Sequence, residues 1–190
     1  MRITFLISKL RLSLIGFFLN VFWVVGVCAS EVRWVDAKDG QVMVRAQNGN
    51  EYVLSVPMGI KGVYFDGDLH RVGEKEYLSI FQVSASNPLR PDGFCGSGDE
   101  VWLQLYESSS KISSRILVSS CLHSISLASQ NSGQEGQDND YSSVKWDEYG
   151  FSIEWFGRVD SFGRVVSLTS YRLCGDSFCG SDLFQKKSGN

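Results

Sequence analysis

The chain is poor in the residues that most enzymes work with. Its 190 residues include two histidines, His70 and His123, and neither stands in a ligand-like array. That counts against a zinc centre and leaves little scope for a histidine-based nucleophilic triad. Gly-X-Ser-X-Gly is absent. Gly96-Ser97-Gly98 is too short for a nucleophile elbow and precedes a strand rather than a helix. No glycine loop of the phosphate-binding type occurs. Beyond the N-terminal segment no amphipathic helix of about ten residues or more can be drawn, which excludes helical bundles and alternating α/β folds. Asn-X-Ser/Thr acceptors are also missing there.

The carboxylates do not fill the gap. Asp99-Glu100 and Asp147-Glu148 are neighbours on extended segments, so each pair points to opposite faces and does not converge. Asp66-Gly67-Asp68 reads as a turn. Asp138-Asn139-Asp140 has ligands for a hard cation but lacks the spacing and the glycine of a calcium loop. The expectation is a protein without catalytic residues, metal or cofactor. A small hydrolase using His70 or His123 stands as one alternative.

What the chain does have begins at its N-terminus. Arg2, Lys9 and Arg11 precede an apolar run from Leu12 to Val27, and Val27-Cys28-Ala29-Ser30 supplies small residues. A basic start, an apolar middle and a small-residue end form a secretory signal, with cleavage after Ala29 or Ser30. The run is short for a spanning helix, which wants about 20 residues, so no stable membrane span is expected after cleavage. Retention as an anchor and lipidation at Cys28 are the rival readings. Removing the signal leaves 15 of the 18 basic residues against all 21 acidic ones. That balance argues against nucleic acid as the partner and is compatible with a basic protein partner.

The exported part carries Cys95, Cys121, Cys174 and Cys179. An even number in an exported chain reads as two disulfides with three possible connectivities. Cys174 and Cys179 are close enough to clip a hairpin, so Cys174–Cys179 with Cys95–Cys121 is the preferred pairing. A bacterial periplasmic location is expected, with secretion as the alternative.

The remainder reads as strand after strand. Val42, Val44 and Ala46 alternate before Asn48-Gly49-Asn50, and Tyr52, Leu54 and Val56 alternate after it, which is a strong hairpin signal. Glu76 to Val83 is apolar on both faces and is expected at the centre of a sheet. Val101 to Tyr106, Phe151 to Trp155 and Val165 to Leu173 follow, the last being the final clear strand. Ser129 to Asp140 is expected to bury nothing. The reading is a signal peptide (1–30), one all-β, mainly antiparallel domain (31–184) shaped as a sandwich, barrel or propeller-like array, and a flexible tail (185–190). Leading core candidates are Trp34, Tyr52, Leu54, Phe81, Leu103, Leu105, Ile116, Val118, Val144, Trp146, Ile153 and Trp155.

One local feature stands out. Phe94-Cys95-Gly96-Ser97-Gly98-Asp99-Glu100 joins a loop holding Pro88 and Pro91 to an apolar strand. A bond from Cys95 to Cys121 would anchor a Gly-Ser-Gly tip at its base. Glycines allow close backbone approach, and anchoring lowers the cost of ordering on binding. Gly96, Ser97, Gly98, Asp99 and Glu100 are therefore the candidate partner-binding residues. A tight turn before the strand is the plainer account of the same glycines.

From Cys95 to Tyr106, continuing loosely to Cys121, this stretch resembles the periplasmic immunity proteins that protect bacteria against cell-wall-degrading toxins of the type VI secretion system. In the amidase-directed group a Ser/Gly-rich loop plugs the toxin's active site. The resemblance implies a protein partner, a toxin enzyme inhibited by site occlusion. A structural or assembly component of the envelope, recruiting partners through a sheet edge or exposed aromatics, is the alternative.

Overall fold

The computed structural model describes residues 32–108 and 112–186. The expected signal with Cys28, and residues 187–190 of the expected tail, lie outside them. Twelve strands form among the described residues: β1 (Arg33–Asp36), β2 (Gln41–Arg45), β3 (Glu51–Ser55), β4 (Ile60–Val72), β5 (Lys75–Ala85), β6 (Asp99–Glu107), β7 (Ile112–Ser120), β8 (Ser126–Leu127), β9 (Val144–Asp147), β10 (Gly150–Gly157), β11 (Val166–Cys174) and β12 (Ser177–Phe184). No helix among the described residues is long and apolar enough to cross a membrane.

The strands build three layers. A five-stranded antiparallel sheet in the order β1-β4-β5-β6-β7 lies in the middle. A second sheet, β12-β11-β10-β8 with β9 also paired to β10, covers one face, and the β2–β3 hairpin covers the other. The two-residue period of a strand makes this possible. Phe81, Val83, Val101, Leu103, Leu105 and Val118 point to one side and pack with Leu127, Phe151, Ile153, Trp155 and Val166. Leu78, Ile80 and Tyr106 point to the other side and pack with Val42, Val44, Leu54 and Val63. The doubly apolar β5 is the central strand of the central sheet, as a strand buried on both faces must be.

Several sequence expectations are corrected. Trp34 is not core: it is 41 % exposed, because β1 is an edge strand at the rim of the central sheet. Asp66-Gly67-Asp68 is no connecting turn but a bulge inside β4, where pairing with β5 jumps from Phe65↔Ile80 to Leu69↔Leu78. Bulges of this kind re-aim side chains. Ser129 to Asp140 is packed rather than bare: it folds into two short 3₁₀ turns and buries Gln130. Gln130 Nε2 donates to the Asp138 carbonyl at 2.9 Å. The chain also does not end its strands at Leu173. β12 follows the Cys174–Cys179 clip and pairs with β11 along its length. Gln185, assigned to the tail, donates its N–H to the Val165 carbonyl at 3.0 Å.

The buried tyrosines carry a pH consequence. Burial raises the Tyr106 phenol to about 12 and raises Tyr64, Tyr77 and Tyr171 as well. An unfolded tyrosine ionises near ~10. The folded state therefore holds these protons more tightly. Their stabilising contribution is full below the unfolded value and is lost as pH rises through the folded one. Circular dichroism followed upward from pH ~9 should show unfolding set in above ~10. A fully folded spectrum with every tyrosine ionised would contradict this.

Candidate functional site

The segment between β5 and β6 is a chain of tight turns. The Ser86 N–H donates to the Gly98 carbonyl at 3.0 Å, closing the base. Inside it, Arg90 N–H reaches Asn87 O, Gly93 N–H reaches Arg90 O, Gly96 N–H reaches Gly93 O and Gly98 N–H reaches Cys95 O, all at 2.9–3.1 Å. Pro88 and Pro91 fix φ within it. Cys95 is bonded to Cys121, with 5.7 Å between their Cα atoms, which ties the loop to the turn after β7. A protruding segment of this length is thus ordered by its own backbone and by one covalent link.

The five residues singled out from sequence occupy different places in this loop. Gly96 lies at its inside, where a Cβ would come within 2.1 Å of the Pro91 carbonyl oxygen; only glycine permits that approach. Gly98 faces the Cys121 side chain. Ser97 is exposed. Asp99 and Glu100 open β6 and are engaged within the molecule. Lys61 Nζ donates to the Asp99 carboxylate at 2.5 Å, and Ser120 Oγ donates to the Glu100 carboxylate at 2.7 Å. The exposed apex is the preceding stretch, where Leu89 is 93 % and Phe94 79 % exposed. Sequence reasoning missed Leu89 as a site residue. The available signal was a lone leucine between Pro88 and Pro91, in a loop with no apolar face to bury it.

Beside the base of this loop a cleft of about 490 Å³ opens between the central sheet and the 130–141 segment. Trp34, Tyr64, Gly98, Asp99 and Tyr141 are among the residues that line it. The Trp34 and Tyr64 rings meet edge-on at 4.8 Å, Tyr64 and Tyr141 are 5.4 Å apart, and Tyr141 stacks on Phe81 at 4.0 Å. Burial, followed by the nearby Asp99 carboxylate, pushes the Tyr64 phenol up. Burial again dominates at Tyr141, with Tyr64 and Asp99 adding to it. Both phenols therefore remain protonated donors beside Asp99.

The two histidines do not meet. His70 Nε2 is 2.9 Å from the Asp66 carboxylate, and its ring stacks on Trp146 at 4.3 Å, with 7° between the planes. The β4 bulge brings Asp66 to this position. His123 lies in the turn beyond Cys121, with its backbone N–H on Ser120 Oγ at 3.0 Å. Asp66 and Trp146 line a second cleft of about 450 Å³, which shares Asn139 and Tyr141 with the first. Among the described residues no group of three or more His, Cys, Asp and Glu side chains is arranged to hold a metal.

Comparison with protein-family models, with curated proteins and with solved structures returns no match for this chain.

Proposed function

We propose that this is an exported periplasmic binding protein that inhibits a partner enzyme by occluding its site, as an immunity protein against a cell-wall-degrading toxin does. The observation that carries the reading is the anchored loop with Leu89 and Phe94 at its apex. Met58 and Phe162 are as bare elsewhere; what sets Leu89 and Phe94 apart is that both sit on one loop held by its own turns and by a disulfide. An aromatic anchor such as Phe94 entering a partner's pocket can act as an interface hot spot, and a preorganised loop conformation favours tight binding. Two disulfides fit an oxidising compartment. Relative to the sequence reading, the inserted element is now Leu89 to Ser97, and Gly96 and Gly98 shape it rather than touch the partner. Asp99 and Glu100 hold its descending limb through Lys61 and Ser120.

A pull-down of the oxidised protein from an envelope extract of its own source should recover one lytic enzyme in equal amount, with its activity suppressed. Phe94→Ala should then weaken the complex by about 2 kcal/mol or more without changing the melting temperature, and Ser97→Trp should weaken it by steric exclusion. Equal affinity for both variants would remove the loop from the interface. Recovery of envelope assembly components alone would favour the structural alternative.

A further inference from the structure

Trp34 is an exposed indole in a fixed pose. Its Nε1 donates to Asp36 Oδ1 at 2.8 Å, and its edge meets Tyr64. Its six-membered ring lies so close over Gly62 that a Cβ there would come within 2.3 Å of it. Any side chain at position 62 would lift the indole off the sheet. An edge strand thus presents a flat aromatic surface to the cleft at a cost in apolar burial that the core does not recover.

The other walls are polar in a particular way. Asn139 contributes a carboxamide and Ser119 and Ser126 contribute hydroxyls, while the Gln130 and Asn131 carboxamides also line the cleft but donate to the Asp138 and Leu127 carbonyls. Groups of this kind both donate and accept. The cation of the cleft, Lys61, is paired with Asp99, and Asp138 adds a second carboxylate to the lining, so the site disfavours an anion. A purely apolar ligand would strip water from the carboxamides without replacing its hydrogen bonds. The ligand that answers this lining has a flat C–H face for an aromatic ring and a rim of neutral hydroxyls. Those are the properties of a pyranose ring.

The second cleft extends the same chemistry. It begins on the other side of Asn139 and Tyr141 and has Trp146 on its wall. Trp146 Nε1 and Ser79 Oγ are buried at that cleft with no hydrogen-bond partner among the described residues. Two aromatic walls separated by one shared tyrosine suit a ligand of several units.

We infer that these clefts bind a neutral oligosaccharide, with Trp34 as the stacking platform and the 130–141 segment supplying hydrogen bonds. This goes beyond the inhibitor reading and requires no protein partner. Titration calorimetry with neutral trisaccharides tests it, using the β-1,4-linked N-acetylglucosamine trimer, cellotriose and maltotriose, with a sulfated disaccharide alongside. At least one neutral trisaccharide should bind with a Kd of about 1 mM or tighter, and more tightly than its monosaccharide. Trp34→Ala should lose about tenfold or more, and Trp34→Tyr should keep most of the affinity. If Trp34→Ala fails to fold, shift mapping on the wild type decides: perturbation at Trp34 Nε1–H and at the Asn131 and Tyr141 amides supports the site. Absence of binding by all three at about 10 mM, tighter binding of the sulfated sugar, unchanged affinity in folded Trp34→Ala, or shifts confined elsewhere would overturn it.

Discussion

Replacing Phe151 by alanine should cost about 3–5 kcal/mol of stability. Phe151 is fully buried and lies in the core between the second sheet and the central sheet, within an aromatic cluster of its own sheet. It stacks on Tyr171 at 4.7 Å with 11° between planes, and meets Trp146 at 4.8 Å and Phe178 at 5.2 Å. Removing the ring leaves a cavity walled by three other aromatics, whose rigid rings collapse into it poorly. The aromatic pairs add to the loss beyond area burial. The backbone here is held in the β10–β11 ladder, where Phe151 pairs opposite Tyr171, which limits how far it can relax. Urea unfolding of the variant against wild type measures the change. A loss below about 1 kcal/mol would mean that the two sheets are not held together through this cluster.

The second large effect concerns Cys95 and Cys121. The bond closes 26 residues of chain, which in the chain-entropy account restricts the unfolded state by about 3.5 kcal/mol. The Cys95→Ser, Cys121→Ser double variant should therefore unfold at distinctly lower urea. It should also lose more partner affinity than a stability change alone explains. The turns from Asn87 to Gly98 would no longer be tied to the end of β7, and binding would have to order them again. The matching double variant at Cys174 and Cys179 is a control, since it spans only 5 residues and is expected to cost less, about 2 kcal/mol. If both variants lose partner affinity equally, the first disulfide has no special part in recognition.

The fold was largely legible in the sequence where one face of a strand is buried and the other is not. Val42, Val44 and Leu54 announced the hairpin, and β5 announced its central place through apolar residues on both faces. Legibility failed where side chains gain their role from a neighbouring strand. β12 has little alternation because most of it is exposed; it is held by backbone pairing to β11 and by Phe178. Trp34 looked like core because an indole is usually buried, whereas its position depends on the absence of a side chain at Gly62, far along the chain. Gln130 lies within a run of polar residues, and only the fold shows that its carboxamide is enclosed. The candidate loop was found through Cys95 and its glycines, yet its exposed apex was missed. Turn residues mark where a chain bends, not which part of the bend projects.

The β11–β12 hairpin has one more consequence. Phe178 packs on Tyr77 of the central sheet at 5.0 Å, and its N–H meets Ser114 Oγ of β7 at 3.3 Å. The inner face of β5 and β6 is thus sealed by the last strands of the chain. Pairings so distant in sequence must wait until nearly all of the polypeptide is present, and domains built this way fold slowly, on the order of milliseconds to seconds. Until β10 to β12 arrive, Tyr77, Phe81 and Leu103 face water on an uncovered sheet. A nascent or truncated chain lacking them would be a client for holding factors rather than a half-built version of the native protein.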